Sequence, residues 1–206
     1  MVRVKICGIT SAGDAMAAVA AGADALGFNF FGPSPRYIEP ERAHAIRLSL
    51  PPFVATVGVF VDEDPEKVNR ICRDCGLEYA QLHGHESPRR AARVKAARVI
   101  KAIRVREEKD LKELGRYDAA AYLLDAYVPN LPGGTGQTFD WELARRAASR
   151  GKVILAGGLT PDNVAVAVAA ARPYAVDVAS GVEEEPGGKS RKLVTNFVRA
   201  AKSVEL

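Results

Sequence analysis

The sequence predicts an α/β fold, a single-domain (β/α)8 TIM barrel of eight parallel strands spanning residues 1–206. Short β-branched apolar runs alternate with Ala-rich or charged helical stretches from end to end, the runs beginning near Arg3, Asp24, Phe53, Glu78, Arg98, Ala119, Lys152 and Tyr174. Runs such as 53–60 and Val153–Ala156 are apolar on both faces, as strands of a parallel sheet covered by helices must be. Each unit takes about 26 residues, close to the minimum for a strand, a crossover helix and two short loops, so no length remains for a second domain. A doubly wound open sheet would show much the same alternation, and a barrel usually needs ~250 residues with a floor near ~200. Strand and helix repeated eight times are best closed as a barrel.

Along the first strand, Arg3, Lys5 and Cys7 share one face and Val4 and Ile6 the other. With Val4 and Ile6 against the helices, Lys5 and Cys7 face the barrel interior, and the next helix opens near Ser11. The second strand ends at Asn29 and gives way to a loop, 30–37, too long and too rich in Pro and Gly for a plain connection. After the third strand, Asp64-Pro65-Glu66 supplies a cap, a first-turn proline and an acid ahead of Val68, Ile71, Cys72 and Cys75 at helical spacing. The fourth strand ends at His83-Gly84 and the sixth at Asp125, which a glycine-rich segment, 130–136, follows closely. Gly157-Gly158 closes the seventh strand, and Thr160-Pro161-Asp162 starts a helix that stops before Pro173. The eighth strand runs out over Asp177 to Glu183, and Val194, Phe197, Val198 and Ala201 form the apolar stripe of the last helix.

Composition narrows the function. With 48% hydrophobic and 26% charged residues the chain is an ordinary globular protein rather than a disordered one. The net charge of +4 is spread from Arg3 to Lys202 with acids intermixed, and aromatics make up 7%, so no nucleic-acid partner is expected. A mild positive balance suits small anionic ligands. No signal-peptide core and no long apolar run is present, so no membrane partner is expected and the location reads as cytoplasmic. Three cysteines cannot all pair, which agrees with a reducing compartment. Cys72-x-x-Cys75 with His83-x-His85 has the ligand types of a zinc site, yet Cys72 and Cys75 fall on an apolar helix stripe; buried core thiols are the better account, and no metal is expected.

Barrels of this kind carry their chemistry at the carboxyl ends of the strands. There the sequence places a thiol, Cys7, an imidazole, His83, and carboxylates, Asp125 and Asp177, which is acid–base equipment. Lys5 beside Cys7 should favour the thiolate. Two glycine-bearing loops at adjacent strand ends, Gly157-Gly158 and Ser180-Gly181, can bring backbone N–H groups to one phosphate. Arg36, in the irregular loop after the second strand, could grip a carboxylate in a two-pronged bond, and the segment around Gly134 is placed to act as a lid.

These residues together resemble the phosphoribosylanthranilate isomerase family. The likeness runs through Lys5-Ile6-Cys7-Gly8-Ile9-Thr10, Leu26-Gly27-Phe28 with Ser34-Pro35-Arg36, Gln81-Leu82-His83-Gly84, Leu124-Asp125, Gly133-Gly134-Thr135-Gly136 with Phe139-Asp140-Trp141, Ala156-Gly157-Gly158-Leu159, and Asp177 through Glu183. Ala179 departs from it, where the family usually has a second serine before Ser180-Gly181, so one hydroxyl donor to phosphate is missing. The resemblance implies a cofactor-free Amadori rearrangement in tryptophan biosynthesis, with Asp125 as the acid and Cys7 as the base. It implies Arg36 for the anthranilate carboxylate, Asp177 for a ribose hydroxyl, and Gly157, Gly158, Ser180 and Gly181 for phosphate. Asp125 would need a raised pKa and Cys7 a lowered one. His83 and Gly134 are expected to line the pocket, although His83 also reads as a structural histidine satisfied by hydrogen bonds. The expected partner is the phosphorylated anthranilate substrate, with a homodimer left open. The alternatives are the related histidine-pathway aminoaldose isomerase, which uses two carboxylates where this chain has a thiol, and a non-catalytic phosphosugar-binding barrel.

Overall fold

The computed structural model describes residues 1–105, 107–125 and 141–205. Eight parallel strands close in chain order: β1 (Arg3–Cys7), β2 (Ala25–Asn29), β3 (Ala55–Phe60), β4 (Tyr79–Leu82), β5 (Arg98–Arg104), β6 (Ala121–Asp125), β7 (Val153–Ala156) and β8 (Ala175–Val178). Closure is made by β8 against β1, with Val4 opposite Val176 and Lys5 opposite Asp177. Outside the barrel lie α1 (Ala12–Ala20), α2 (Pro40–Ser49), α3 (Pro65–Cys75), α4 (Pro88–Ala91), α5 (Trp141–Ala147), α6 (Val164–Ala171) and α7 (Arg191–Lys202). No helix among the described residues is long and apolar enough to cross a membrane.

The closed barrel is the architecture expected, and four local readings are corrected. Phe53 lies outside its strand because its φ of 71° turns the chain away from an extended path, and β3 starts at Ala55. Ala119 and Ala120 precede β6. The strict alternation with helices also breaks: α4 is a single turn, and β5 is joined to β6 through the 3-10 helix Glu108–Glu113.

Caps sit where side-chain chemistry puts them. Ser11 accepts the Asp14 N–H at 3.1 Å, and Asp64 accepts the Glu66 N–H at 2.9 Å with Pro65 in the first turn. Gly76, at φ 69°, ends α3 in the left-handed conformation that glycine adopts without strain. The start expected at Thr160-Pro161-Asp162 is a turn instead. There Asn163 accepts the Thr160 N–H at 2.8 Å and donates to the Gly158 carbonyl at 2.9 Å, and α6 begins one residue later.

Two cores separate cleanly by strand face. Val57, Ile100, Ala102, Leu123, Ile154 and their neighbours fill the barrel, whereas Val4, Ile6, Leu26, Phe28 and Leu155 pack outward against the helices. The α7 stripe of Val194, Phe197, Val198 and Ala201 is buried in full, as its spacing requires. Cys72 and Cys75 belong to this outer core, and burial pushes their thiols up to about 12 and about 11.

One buried ion pair sits in the wall beside the one-turn α4. The side chains of Lys101 on β5 and Glu86 are 4% and 3% exposed, and they pair at 2.7 Å. Lys101 also donates to the Leu82 and Gly84 carbonyls, at 3.1 and 2.8 Å, while Glu86 accepts the N–H groups of Asp62 and Gly84 at 2.9 and 3.0 Å. Burial opposes ionisation of Glu86, but Lys101 and these amides outweigh it and hold the carboxyl below its ordinary value. Lys101→Met should therefore lower stability in urea unfolding by about 3–5 kcal/mol at neutral pH, because it strands a buried carboxylate. A depressed folded pKa means that the Glu86 contribution is complete above the ordinary glutamate pKa of about 4.3 and fades as pH falls through the lower folded value. Unfolding curves from pH 7 down to pH 3 should show that acid loss in the parent and not in Lys101→Met.

Candidate active site

Cys7 ends β1 at the carboxyl mouth of the barrel, and the alternation of the strand turns it inward together with Lys5. Lys5 Nζ lies 2.8 Å from Asp177 Oδ1 and also shares a hydrogen bond with Cys7. The space for both groups comes from β2, where Gly27 stands opposite Cys7 in the register. A Cβ on Gly27 would sit 2.8 Å from Cys7 Sγ and 3.1 Å from Lys5 Nζ. The thiol departs from expectation in one respect. Burial pushes Cys7 up, and the neighbouring Lys5 only partly offsets this, so in the ligand-free site the thiol stands above its ordinary value rather than below. Lys5 itself loses charge stability to burial but is held above its ordinary value by Asp177 and Cys7.

Arg36 reaches the same mouth through a folded loop. Asn29 donates to Ser34 Oγ at 3.0 Å and accepts the Phe31 N–H at 2.9 Å, and Ser34 Oγ in turn accepts the Arg36 N–H at 3.1 Å. The Arg36 side chain crosses Gly8, whose φ is 78° and whose Cβ would lie 2.6 Å from Arg36 Cδ, so only glycine fits there. The fork expected to grip a ligand is engaged by the protein itself: Nε and Nη2 of Arg36 meet the two oxygens of Glu183 at 2.8 and 2.6 Å. Glu183 begins β9 (Glu183–Glu185), which pairs with β10 (Gly188–Lys189) in a small hairpin over the rim. Lys189 Nζ donates to Glu183 at 2.6 Å and to the Ala179 carbonyl at 3.2 Å. Burial works against the Glu183 charge, but Arg36 and Lys189 hold its carboxyl below the ordinary range. Lys189 escaped the sequence reading because its hairpin is an addition to the barrel; Pro186-Gly187 was the available turn signal.

The two glycine loops touch. A Cβ on Gly181 would fall 1.9 Å from the Leu159 carbonyl oxygen, so the loop after β8 closes onto the loop after β7 only because residue 181 has no side chain. Gly157 and Gly158 have φ of 88° and 63°, and Asn163 ties down the Gly158 carbonyl. Ser180 opens the short 3-10 turn Ser180–Val182. Since β7 and β8 lie between β6 and β1, both loops occupy the rim between Asp125 and Cys7.

Asp125 ends β6, and His83 follows β4. His83 Nε2 is 3.4 Å from Asp125 Oδ2, and its Nδ1 is 2.9 Å from Nε2 of the buried Gln81. A cavity of about 450 Å³ opens here, lined by His83, Arg104, Asp110, Tyr117 and Asp125 among others. His83 thus stands beside Asp125, the acid expected from the sequence, at the mouth. Gly134 and the expected lid, 130–136, lie outside the described residues. The structure brings Lys5, Cys7, Arg36, Asp177, Glu183 and Lys189 into one charged cluster, and His83 and Asp125 into a second, on the same rim.

The chain matches the family model described as N-(5'phosphoribosyl)anthranilate (PRA) isomerase over residues 4–200. It is 57% identical over 204 residues to the N-(5'-phosphoribosyl)anthranilate isomerase of Geobacter sp. (strain M21), covering 99% of this chain and 100% of that one. A solved phosphoribosyl anthranilate isomerase in complex with reduced 1-(o-carboxyphenylamino)-1-deoxyribulose 5-phosphate is 42% identical, with a TM-score of 0.87 and coverage of 99% and 100%. A dimeric phosphoribosylanthranilate isomerase from Thermotoga maritima, solved as generated monomers, is 41% identical with a TM-score of 0.87 over the same shares.

The Gly27 contact has a direct consequence. Gly27→Ala must displace the Cys7 sulfur by a large fraction of an ångström, and turnover should fall about 10²-fold, as misplacements of that size do. Steady-state kinetics beside a melting curve check this, the fall in kcat appearing in protein that remains folded.

Proposed function

The chain belongs to the N-(5'-phosphoribosyl)anthranilate isomerase family, and on that premise we propose that it catalyses the Amadori rearrangement of N-(5'-phosphoribosyl)anthranilate to 1-(2-carboxyphenylamino)-1-deoxyribulose 5-phosphate in tryptophan biosynthesis. The observation that carries the assignment of roles is the order of groups around one rim: Asp125 on β6, the two glycine loops after β7 and β8, then Cys7 on β1. A substrate whose phosphate lies at the loops presents its sugar between an acid and a base. The reduced product analogue bound to the solved relative has the same three parts, a carboxyphenyl group, a sugar chain and a phosphate.

In this reading Asp125 gives its proton to the furanose ring oxygen as the C1′–O bond breaks, and the anilino nitrogen's lone pair forms the C1′=N bond. Cys7, as thiolate, takes the C2′ proton. The C–H electrons become the C1′=C2′ bond and the C=N electrons return to nitrogen, giving an enolamine that tautomerises to the C2′ ketone. His83 steadies the Asp125 carboxylate once its proton has gone. Arg36 meets the anthranilate carboxylate with the N–H groups that Glu183 leaves free, and Asp177 meets a ribose hydroxyl from its place beside Lys5. Gly157, Gly158, Ser180 and Gly181 take the phosphate through backbone N–H groups, and Gly134 belongs to the covering segment. No cofactor enters this sequence of proton transfers.

We also assign the enzyme to the cytoplasm as a single barrel domain, its free cysteines Cys7, Cys72 and Cys75 fitting a reducing compartment. A homodimer is the assembly we favour. Phe53 is fully exposed and held at a φ of 71°, a strained conformation for a bulky residue that is retained where it serves a contact.

Cys7→Ala and Asp125→Asn should each lower kcat by about 10²–10⁴-fold with KM within a few-fold of the parent, followed by the fluorescence loss of phosphoribosylanthranilate. The parent pH profile should be bell-shaped and lose one limb in each variant; unchanged profiles in both would overturn the roles. Phe53→Asp should convert the sedimenting species from dimer to monomer with turnover retained, as sedimentation velocity checks.

A further inference from the structure

The charges gathered around Cys7 do not cancel. Lys5 on β1, Arg36 on the loop after β2 and Lys189 on β10 contribute three cations, while Asp177 on β8 and Glu183 on β9 contribute two carboxylates. The geometry shows how the imbalance is distributed. Asp177 pairs with Lys5 at 2.8 Å, but Glu183 serves two cations at once, Arg36 at 2.6 Å and Lys189 at 2.6 Å. All of these groups are packed under one mouth. Lys5 hydrogen-bonds Cys7, Arg36 lies across Gly8 with its Cδ 2.6 Å from the position of a Cβ there, and Lys189 joins the group through the Glu183 carboxylate that it shares with Arg36.

We propose that Lys189 is a positioning residue for the base: from its buried seat on the β9–β10 hairpin it supplies positive charge that eases ionisation of the Cys7 sulfur. With Cys7 ionised, the cluster of three cations and two carboxylates becomes neutral, which offsets part of what burial costs the thiolate. Burial pushes the Lys189 ammonium down, and Glu183 only partly restores it, so a lysine whose side chain is 1% exposed is an unfavourable choice for a mere strut. Lys189 also shares in neutralising Glu183 while the remaining Arg36 N–H groups meet the carboxylate of a ligand. The inference rests on the reading of Cys7 as the base, and its test reads the thiol itself rather than turnover.

The rate of Cys7 alkylation by iodoacetamide, followed from pH 6 to pH 11 with peptide mapping to separate it from Cys72 and Cys75, gives the thiolate fraction directly. Lys189→Met should shift this profile to higher pH, with severalfold less thiolate at a given pH on its rising limb, and Lys189→Arg should restore it. Glu183→Gln, which removes a carboxylate from the same cluster, should move the profile the opposite way. The pH profile of kcat/KM should follow the same two directions. A purely structural lysine would lower the melting temperature in both Lys189→Met and Glu183→Gln without moving the thiol in opposite senses. A profile unmoved in folded Lys189→Met, or moved the same way in both variants, overturns the proposal. Should Lys189→Met not fold, Glu183→Gln decides alone, and a profile that stays or rises refutes it. If the alkylation profiles move as stated while Cys7→Ala retains full turnover, the role of Cys7 as base fails and the charge assignment stands.

Discussion

The Lys5–Asp177 pair is the contact on which the rest of the site depends. It spans the seam where β8 meets β1, the last pairing needed to turn an open sheet into a barrel. Buried ion pairs add little net stability over apolar packing, so the pair is best understood through what it specifies. A slip of one residue in β1 would carry Lys5 and Cys7 into the outer core and bring Val4 and Ile6 into the barrel. With a carboxylate waiting on β8, that slip strands two buried charges. The register that closes the barrel is therefore the register that turns the Cys7 sulfur into the mouth, and Gly27 provides the room it needs there.

From this seam the rim is assembled by close backbone approach. Gly8 lets the Arg36 side chain cross β1, Gly181 lets the β8 loop rest on the Leu159 carbonyl, and a Cβ on Gly187 would lie 3.0 Å from the Pro35 carbonyl oxygen. The β9–β10 hairpin is also tied down by Thr10, whose hydroxyl donates to the Gly187 carbonyl at 2.7 Å. In consequence Glu183 and Lys189 are fixed against the β1 and β2 loops. Their placement is set by close contacts along the hairpin backbone.

Much of this was legible in the sequence, and for a physical reason. Strand periodicity locates strand ends, and barrels carry their chemistry there, so the rim positions of Cys7, His83, Asp125 and Gly157-Gly158 follow from pattern alone. The inward turn of Lys5 and Cys7 follows from alternation. What pattern does not contain is distance across the barrel. Glu183 and Arg36 lie 147 positions apart in the chain, and no local rule makes them partners. The state of the Cys7 thiol was misjudged for a related reason: the adjacent cation is visible in the sequence, while the burial that outweighs it depends on the finished fold. Phe53 looked like the first residue of an apolar strand because hydrophobicity cannot report a positive φ.

Lys101 shows how the shortness of the chain shapes its interior. In the run Val99-Ile100-Lys101-Ala102-Ile103 it occupies an outward position, where a barrel strand normally meets an apolar helix face. Here the connections on either side of β5 are reduced to a single turn of helix and a 3-10 segment, so no long helix covers that position. A lysine solves the problem that this creates. Its stem covers apolar wall, its ammonium takes the Leu82 and Gly84 carbonyls and the Glu86 carboxylate, and the Tyr117 ring lies over it at 5.8 Å. The groups it holds belong to the loop that carries His83 toward Asp125. The single turn of α4 thus leaves a wall that a buried charge network finishes, and that network fixes the loop that carries His83.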